Sequence, residues 1–194
     1  MLSIKTENER KMAYFPGSVV EKTELSGKQF LDGMFSGVSG LVMSQIRELT
    51  GLNTPAVQNW INRGWLTRPV NKKYNEDQVA RILIINTLRE TMSLEDVSAL
   101  LFCVNGVTED ETDDIVSEAE LYGYICDITF SEANDGNVDG RIDEIVKGYK
   151  ERRSGDALRL KAALKIVYLQ SVAKKHLSAA GKILEDLRKT HDNA

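Results

Sequence analysis

The stretch that most constrains the fold is SQIRELTGLNTPAVQNWINRGWLTRPVNKKY, residues 44–74. Ser44 is expected to cap a helix that points Ile46 and Leu49 inward, with Gly51 ending it in a left-handed conformation. Thr54 is the expected cap of a second helix, and Pro55 falls at its first position, where a missing N–H costs nothing. That helix should run to about Arg63 and stop at Gly64. One side of it is Val57, Trp60 and Ile61; the other is Gln58, Asn59, Asn62 and Arg63. Residues three and four apart share a helix face, so the apolar set should face a core and the amide-rich set should not.

Two helices joined by a short glycine turn are the signature of a helix-turn-helix. Asn and Gln amides can pair bidentately with adenine in a major groove, so Gln58, Asn59 and Asn62 are candidate base-reading residues. The segment 65–74 holds Pro69 and Asn71, which favour a turn, together with Arg68, Lys72 and Lys73. It reads either as a small wing whose cations, with Arg63, meet phosphates, or as an ordinary solvated loop. Charge agrees with the first reading. The whole chain carries a formal −4, but residues 44–89 hold seven basic and three acidic side chains, net +4. Residues 90–145 hold one basic and sixteen acidic, net −15. A locally positive reader on an acidic protein is the pattern of a DNA-binding module beside a separate partner domain.

Helix signals continue on both sides. Leu25 to Phe35 forms a short lead-in helix with Leu25, Phe30, Leu31, Met34 and Phe35 as its apolar side, broken by Gly37 and Gly40. Before it, residues 1–23 are weakly patterned, with a turn at Pro16-Gly17, and read as an arm. Asn75 with Gln78 is a capping box opening a helix lined by Val79, Ile82, Leu83 and Ile85. Ser93 with Asp96 opens another, with Leu94, Val97, Leu100 and Leu101 inside.

The order of elements from Val42 to Leu101 resembles the winged-helix DNA-binding domain of MerR-type transcription regulators. The matching pieces are Ile46 to Gly51, Pro55 to Arg63, Gly64-Trp65-Leu66 followed by Arg68-Pro69, Lys73-Tyr74-Asn75-Glu76-Asp77, and Met92 to Val97. More narrowly, NWINRG, RPVNKKY and QVARILIINTLRETMSLEDV resemble an uncharacterised Gram-positive family known only as a domain of unknown function with a MerR-like reader. The resemblance implies that Pro55–Arg63 is a recognition helix and that double-stranded DNA is the partner. The chain departs from the MerR pattern at Arg47, where an alanine is usual, and at Gln58 and Asn59, in place of an arginine and a tyrosine. Its wing is also shorter.

The second half reads as all helix. Thr108 with Glu111 is a further capping box, and Ile115, Ala119, Tyr122 and Cys126 follow as a stripe, with the acidic run 109–120 as a solvated face. Ile142, Ile145, Val146 and Tyr149 mark a next helix. From Asp156 to Lys189 no proline intervenes, which allows one helix of about 50 Å. Along it Ile166, Leu169, Ala173, Leu177, Ala180, Leu184 and Leu187 follow three-and-four spacing, either a homodimer seam or the core face of a bundle.

Other chemistry is thin. Asp135, Asn137, Asp139 and Asp143 have calcium-loop spacing, but the twelfth position is Val146, so no metal site is assigned. Cys103 and Cys126 lack the close pairing of a metal site and read as buried thiols in a reducing compartment. Gly33, Gly37 and Gly40 are followed by no Gly-Lys-Ser/Thr, so they are not a phosphate loop. His176 and His191 stand apart, and neither a cofactor nor an enzyme is expected. No apolar run approaches the roughly 20 residues that span a bilayer, so the expected location is the cytoplasm, away from membranes.

The expectation is therefore a mainly α protein: residues 1–40 an arm and short helix, 41–104 a MerR-like winged helix-turn-helix domain, 105–194 a helical dimerisation or effector domain. Its function would be transcription regulation as a DNA-binding homodimer, with an unidentified small-molecule effector as a further partner. The alternative is an adaptor derived from a helix-turn-helix that contacts protein and not DNA.

Overall fold

Ten of the residues from Gln78 to Leu88 are buried, including both charged and amide groups, so the helix they form has no solvent face. A helix buried all round has to lie at the centre of a structure. The computed structural model describes residues 13–106, 108, 113–131 and 137–192 and has that arrangement, a mainly helical body around one hydrophobic core. Its elements in order are α1 (Gly27–Phe35), β1 (Leu41–Val42), α2 (Met43–Thr50), α3 (Thr54–Asn62) and β2 (Lys73–Tyr74). Next come α4 (Glu76–Leu88), α5 (Leu94–Asn105), α6 (Glu118–Phe130), α7 (Val138–Ile145) and α8 (Asp156–Asp192). Helix α4 packs against α1, α2, α5 and α6, and α8 lies across α5, α6 and α7. None of the helices is long and apolar enough to cross a membrane, among the described residues.

The expected capping boxes set the start of the central helices. Asn75 Oδ1 accepts from Gln78 N at 2.8 Å, and Gln78 Oε1 accepts from Asn75 N at 2.9 Å. Ser93 Oγ accepts from Asp96 N at 3.1 Å. Each cap satisfies a donor that the first helical turn leaves without a partner, an effect of about 1 kcal/mol.

The N-terminal segment is not a free arm from residue 13 on. Tyr14 bridges to Glu21, and Phe15 is 1% exposed and stacks on Phe30 with centroids 3.9 Å apart. The turn at its tip is bonded through its carbonyls: Tyr122 Oη donates to Pro16 O at 2.9 Å and Asn86 Nδ2 to Gly17 O at 2.7 Å. Gly17 has φ +72°, and a Cβ there would stand 2.0 Å from Leu83 O, so only glycine lets this loop lie on α4. Leu25 is exposed and precedes α1, which a Ser26–Gln29 capping box opens. Helix α1 does not lead into the 41–104 segment alone; it packs mainly on α6, with Gly27 against Cys126.

The second half corrects several expectations. The Thr108–Glu111 capping box falls on a stretch where residues 109–112 lie outside the described residues; α6 starts at Glu118, where Ser117 Oγ accepts from Glu120 N. Of the acidic run 109–120, residues 109–112 lie outside the described residues, and Glu118 is buried and not solvated. Its partner is Arg81 on α4. In the acidic loop, 134–136 also lie outside the described residues, Asn137 caps α7, and Asp139 and Asp143 pair with Lys165 and Lys161 of α8. The thiols differ: Cys126 is buried and pushed up to about 12 by that burial, whereas Cys103 is exposed.

Helix α8 has the expected length but not the expected core face. Leu160, Ala163, Leu164 and Val167 are the residues buried against the body. The apolar series behaves otherwise: Leu169 is 54% exposed, Leu177 66%, Leu184 49% and Leu187 63%. Every described side chain from Ala173 onward is exposed, so the last part of α8 extends beyond the body as a single helix.

Arg81 and Glu118 are a testable hub. Burial holds the Glu118 carboxyl above its ordinary value, and Arg81 works against that shift. Arg81→Met should cost about 3–5 kcal/mol in urea denaturation at pH 7, because it strands a buried carboxylate. A pKa raised in the folded state disfavours the fold above that pKa and ceases to do so below it. The loss should therefore shrink at pH 5, as the stranded carboxyl takes up a proton. Equal losses at the two pH values would show that Glu118 is not carrying the charge.

Candidate nucleic-acid interface

Helix α2 begins one residue before Ser44. Its first turn is closed by Gln45 Oε1, which accepts from Val42 N at 2.9 Å, and Ser44 is inside the helix. Gly51 ends it as expected, at φ +70°, its N–H donating to Arg47 O at 2.9 Å. The cap of α3 is Asn53 and not Thr54: Asn53 Oδ1 accepts from Ala56 N at 2.9 Å. Thr54 is then the first helical residue and Pro55 the second, where its missing N–H is still without consequence. The start of α2 is thus two residues earlier than a Ser44 cap would put it, and that of α3 one residue earlier, because the Asn53 side chain and not that of Thr54 takes the first-turn N–H.

The expected division of α3 holds. Val57 is fully buried, Trp60 is 1% exposed and Ile61 8%, all within the core that includes Ile46, Leu49 and Leu66. Gln58, Asn59 and Asn62 are exposed, with Gln58 Nε2 donating to Asn62 Oδ1 at 3.2 Å. Arg63 caps the C-terminus, its guanidinium 5.0 Å from the centroid of the Trp65 ring and 3.0 Å from Glu95 Oε1. Both partners of that ion pair are at least half exposed, so it is worth about 0–1 kcal/mol and is easily exchanged for a phosphate.

The segment after α3 is ordered by three devices. Trp65 N donates to Trp60 O at 2.9 Å across Gly64, which has φ +74°. Gln78 Nε2 donates to Thr67 Oγ1 at 2.7 Å and to Arg68 O at 3.1 Å. At the tip, Asn71 and Lys72 have φ of 51° and 63°, and Lys73 N donates to Val70 O at 2.9 Å. Positive φ at both central residues marks a type I′ turn, whose twist suits a β-hairpin. The limb after it, β2, pairs antiparallel with β1, Leu41 opposite Tyr74 and Val42 opposite Lys73. Gly40 permits the approach, since a Cβ there would be 2.8 Å from Tyr74 O.

Arg68, Lys72 and Lys73 are exposed on this turn-and-strand unit, Lys73 Nζ lying 3.5 Å from Ser39 Oγ. All seven candidate residues thus carry exposed side chains: three on the outer side of α3, one at its end and three on the turn that follows. Three supports were missed from sequence. Strand β1 is two residues long and gives no alternation to read. Gln78 reads as a cap from the sequence, and its second role depends on a fold that brings Thr67 alongside. Arg81 looked like one polar residue in an apolar run, yet its Nε donates to Trp65 O at 2.6 Å and steadies the start of the turn segment.

Nothing here assembles a metal centre: among the described residues no group of three or more His, Cys, Asp or Glu side chains is placed to hold an ion.

Comparison with known proteins places the chain in a family. Residues 29–125, from within α1 to within α6, match the family described as Domain of unknown function (DUF1836), and the chain belongs to it. The chain is also similar to "Uncharacterized protein YkrK" of Bacillus subtilis (strain 168), 26% identical over 117 residues. That match covers 57% of this chain and 50% of the relative, so the chain spans about half the length of the curated protein it resembles. No solved structure matches. The family segment contains α2, α3 and the turn unit, and excludes α7 and α8.

The two sides of α3 should separate in a stability measurement. Trp60→Ala removes a fully packed indole and should cost about 3–5 kcal/mol in chemical denaturation. Asn59→Ala, on the exposed side, should stay within about 0.5 kcal/mol of the parent. A large loss at Asn59 would mean that this side is packed against something and is not an open face.

Proposed function

We propose that the protein is a DNA-binding transcription regulator whose residues 41–104 form a MerR-like winged helix-turn-helix, acting as a homodimer. In this reading α3 is the recognition helix, the Val70–Lys73 turn is a short wing, and double-stranded DNA is the partner. The observation that carries it is the two-sidedness of α3. Its apolar side is wholly used by the core, while Gln58, Asn59 and Asn62 remain exposed on a segment of net positive charge. An exposed side made of amides can neither add to a core nor bring an ordinary charged surface's solubility, and suits base edges. Arg63, Arg68, Lys72 and Lys73 take phosphates, which add affinity and position the helix.

The homodimer is supported by α8. Leu177 and Leu184 are spaced by one heptad, as are Ala173, Ala180 and Leu187, and all are exposed beyond the body. Two such stripes can cover each other in a coiled coil, and a two-fold reader needs two half-sites at fixed spacing. A second reading, a protein-contact adaptor, is favoured by Val70, which is 73% exposed at the tip of the turn where a phosphate-facing wing gains nothing from an apolar residue.

Two mutant classes test the reader. Asn59→Ala should lose about 1–3 kcal/mol on a selected duplex and almost nothing on a random one. Lys72→Ala with Lys73→Ala should weaken both duplexes alike and flatten the salt dependence by about two units. Titration of both duplexes across a salt series decides. Equal losses from both classes on both duplexes, or no binding at low salt, would rule out base reading and leave the adaptor.

The dimer is tested separately. Leu177→Glu with Leu184→Glu should give a folded monomer by light scattering, and the parent should be a dimer at tens of micromolar. A monomeric parent at that concentration would remove the seam.

A further inference from the structure

The first half of α8 is two-sided. Leu160, Leu164 and Val167 are buried against the body, whereas Leu158, Ala162, Ile166 and Leu169 are exposed, Leu158 by 73%. At 3.6 residues per turn the exposed set lies on the side of the helix turned away from the buried one. A row of large apolar side chains in solvent, on a helix already packed through its other side, marks an interaction surface. The row does not stop where the body ends. It continues through Ala173, Leu177, Ala180, Leu184 and Leu187, which are all exposed as well.

This row is symmetric about Ala173. Outward from it the steps are four, three and four residues in both directions, to Leu169, Ile166 and Ala162 on one side and to Leu177, Ala180 and Leu184 on the other. Such a stripe matches itself when the helix is turned end over end about Ala173. Two copies paired in that way set Ala162 opposite the partner's Leu184, Ile166 opposite the partner's Ala180, and Leu169 opposite the partner's Leu177. Each contact is then made twice, as a two-fold interface requires. Large meets small at Ala162 and at Ile166, which lets the layers interdigitate, and the alanine at the centre lets the two axes approach. Parallel pairing would stack every residue on its own copy, alanine on alanine and leucine on leucine, in layers of unequal thickness.

Length favours the same arrangement. From Leu158 to Leu187 the row runs about 44 Å, some four heptads, whereas its free part from Ala173 to Leu187 runs about 21 Å, some two. A coiled coil needs about three or four heptads, so the free part is too short alone and the outer face of the first half has to take part.

We propose that the outer face of the first half of α8 is the docking surface for the free second half of α8 from a second copy, in an antiparallel pair centred on Ala173. The inference rests on the homodimer proposed above and assigns its geometry. Each body then stands beside the other copy's free helix, and the whole stripe is covered.

The test uses the full chain with Cys103→Ser, because Cys103 is the exposed thiol and Cys126 is buried. Under mild oxidation, a chain with both Ala162→Cys and Leu184→Cys should run as a covalent dimer on a non-reducing gel. Either change alone should leave it a monomer there. Leu169→Cys with Leu177→Cys is a second pair with the same expectation, and Ala173→Cys alone should cross-link to its own copy. All five positions are exposed, so the fold does not depend on them. If Leu184→Cys alone cross-links as fully as the double variant, the helices pair in parallel, which overturns this inference and leaves the homodimer standing. If no variant cross-links, Ala173→Cys included, both are overturned.

Discussion

A guanidinium carried into the interior on an apolar helix has to be satisfied in every direction, and the way Arg81 achieves this ties the molecule together. It reaches Glu118 at the start of α6, Thr108 before that helix, and the carbonyl of Trp65 just after α3. Those groups are 16, 27 and 37 residues away in the chain. One buried cation thus joins the central helix to both halves of the protein, and the ion pair is strongly directional because a misplaced partner would leave a buried charge unpaired. Asn86 does similar work at the other end of α4, where its amide holds Gly17 O and Thr50 O. These two polar residues fix how the N-terminal loop, α2 and α6 sit around α4, and apolar packing alone would not.

This explains which parts of the fold could be read from the chain. Elements whose cause is local were legible: the Asn75–Gln78 and Ser93–Asp96 caps, the turn at Gly51, the stop at Gly64, and the alternation of buried and exposed residues along α3. Where neighbouring side chains can each close a first helical turn, the sequence misplaces the helix start, by two residues at Val42–Gln45 and by one at Asn53. What could not be read has a non-local cause. Residues 13–22 look like an arm until Phe15 finds Phe30, and Glu118 looks like one more acid in an acidic run until Arg81 faces it. The core is accordingly continuous from Phe15 to Val167 and does not divide near residue 104, where composition changes so sharply.

The exposed surfaces carry what the core leaves unexplained. Helix α3 is held from behind by Trp60 and presents amides in front. The turn that follows is braced by Gln78 and β1, so its cations are displayed from a fixed backbone and not from a free loop. Helix α8 spends its first half on the body, and the apolar stripe of its second half is exposed among the described residues. Membership of the DUF1836 family covers the first two features, and α8 falls beyond the matched residues. The regulator proposed here unites the three: a fixed reader, a positioned set of cations, and a seam to pair two copies.

The central claim is that the outer side of α3, with the turn after it, is where DNA is held. Hydrogen-exchange mass spectrometry of the full chain tests it most directly, with and without duplex from the region upstream of the protein's own coding sequence. Protection concentrated in residues 53–73, with α7 unchanged, is the result that the account requires. Protection confined to α5 or α8, or no change anywhere at low salt, would contradict it.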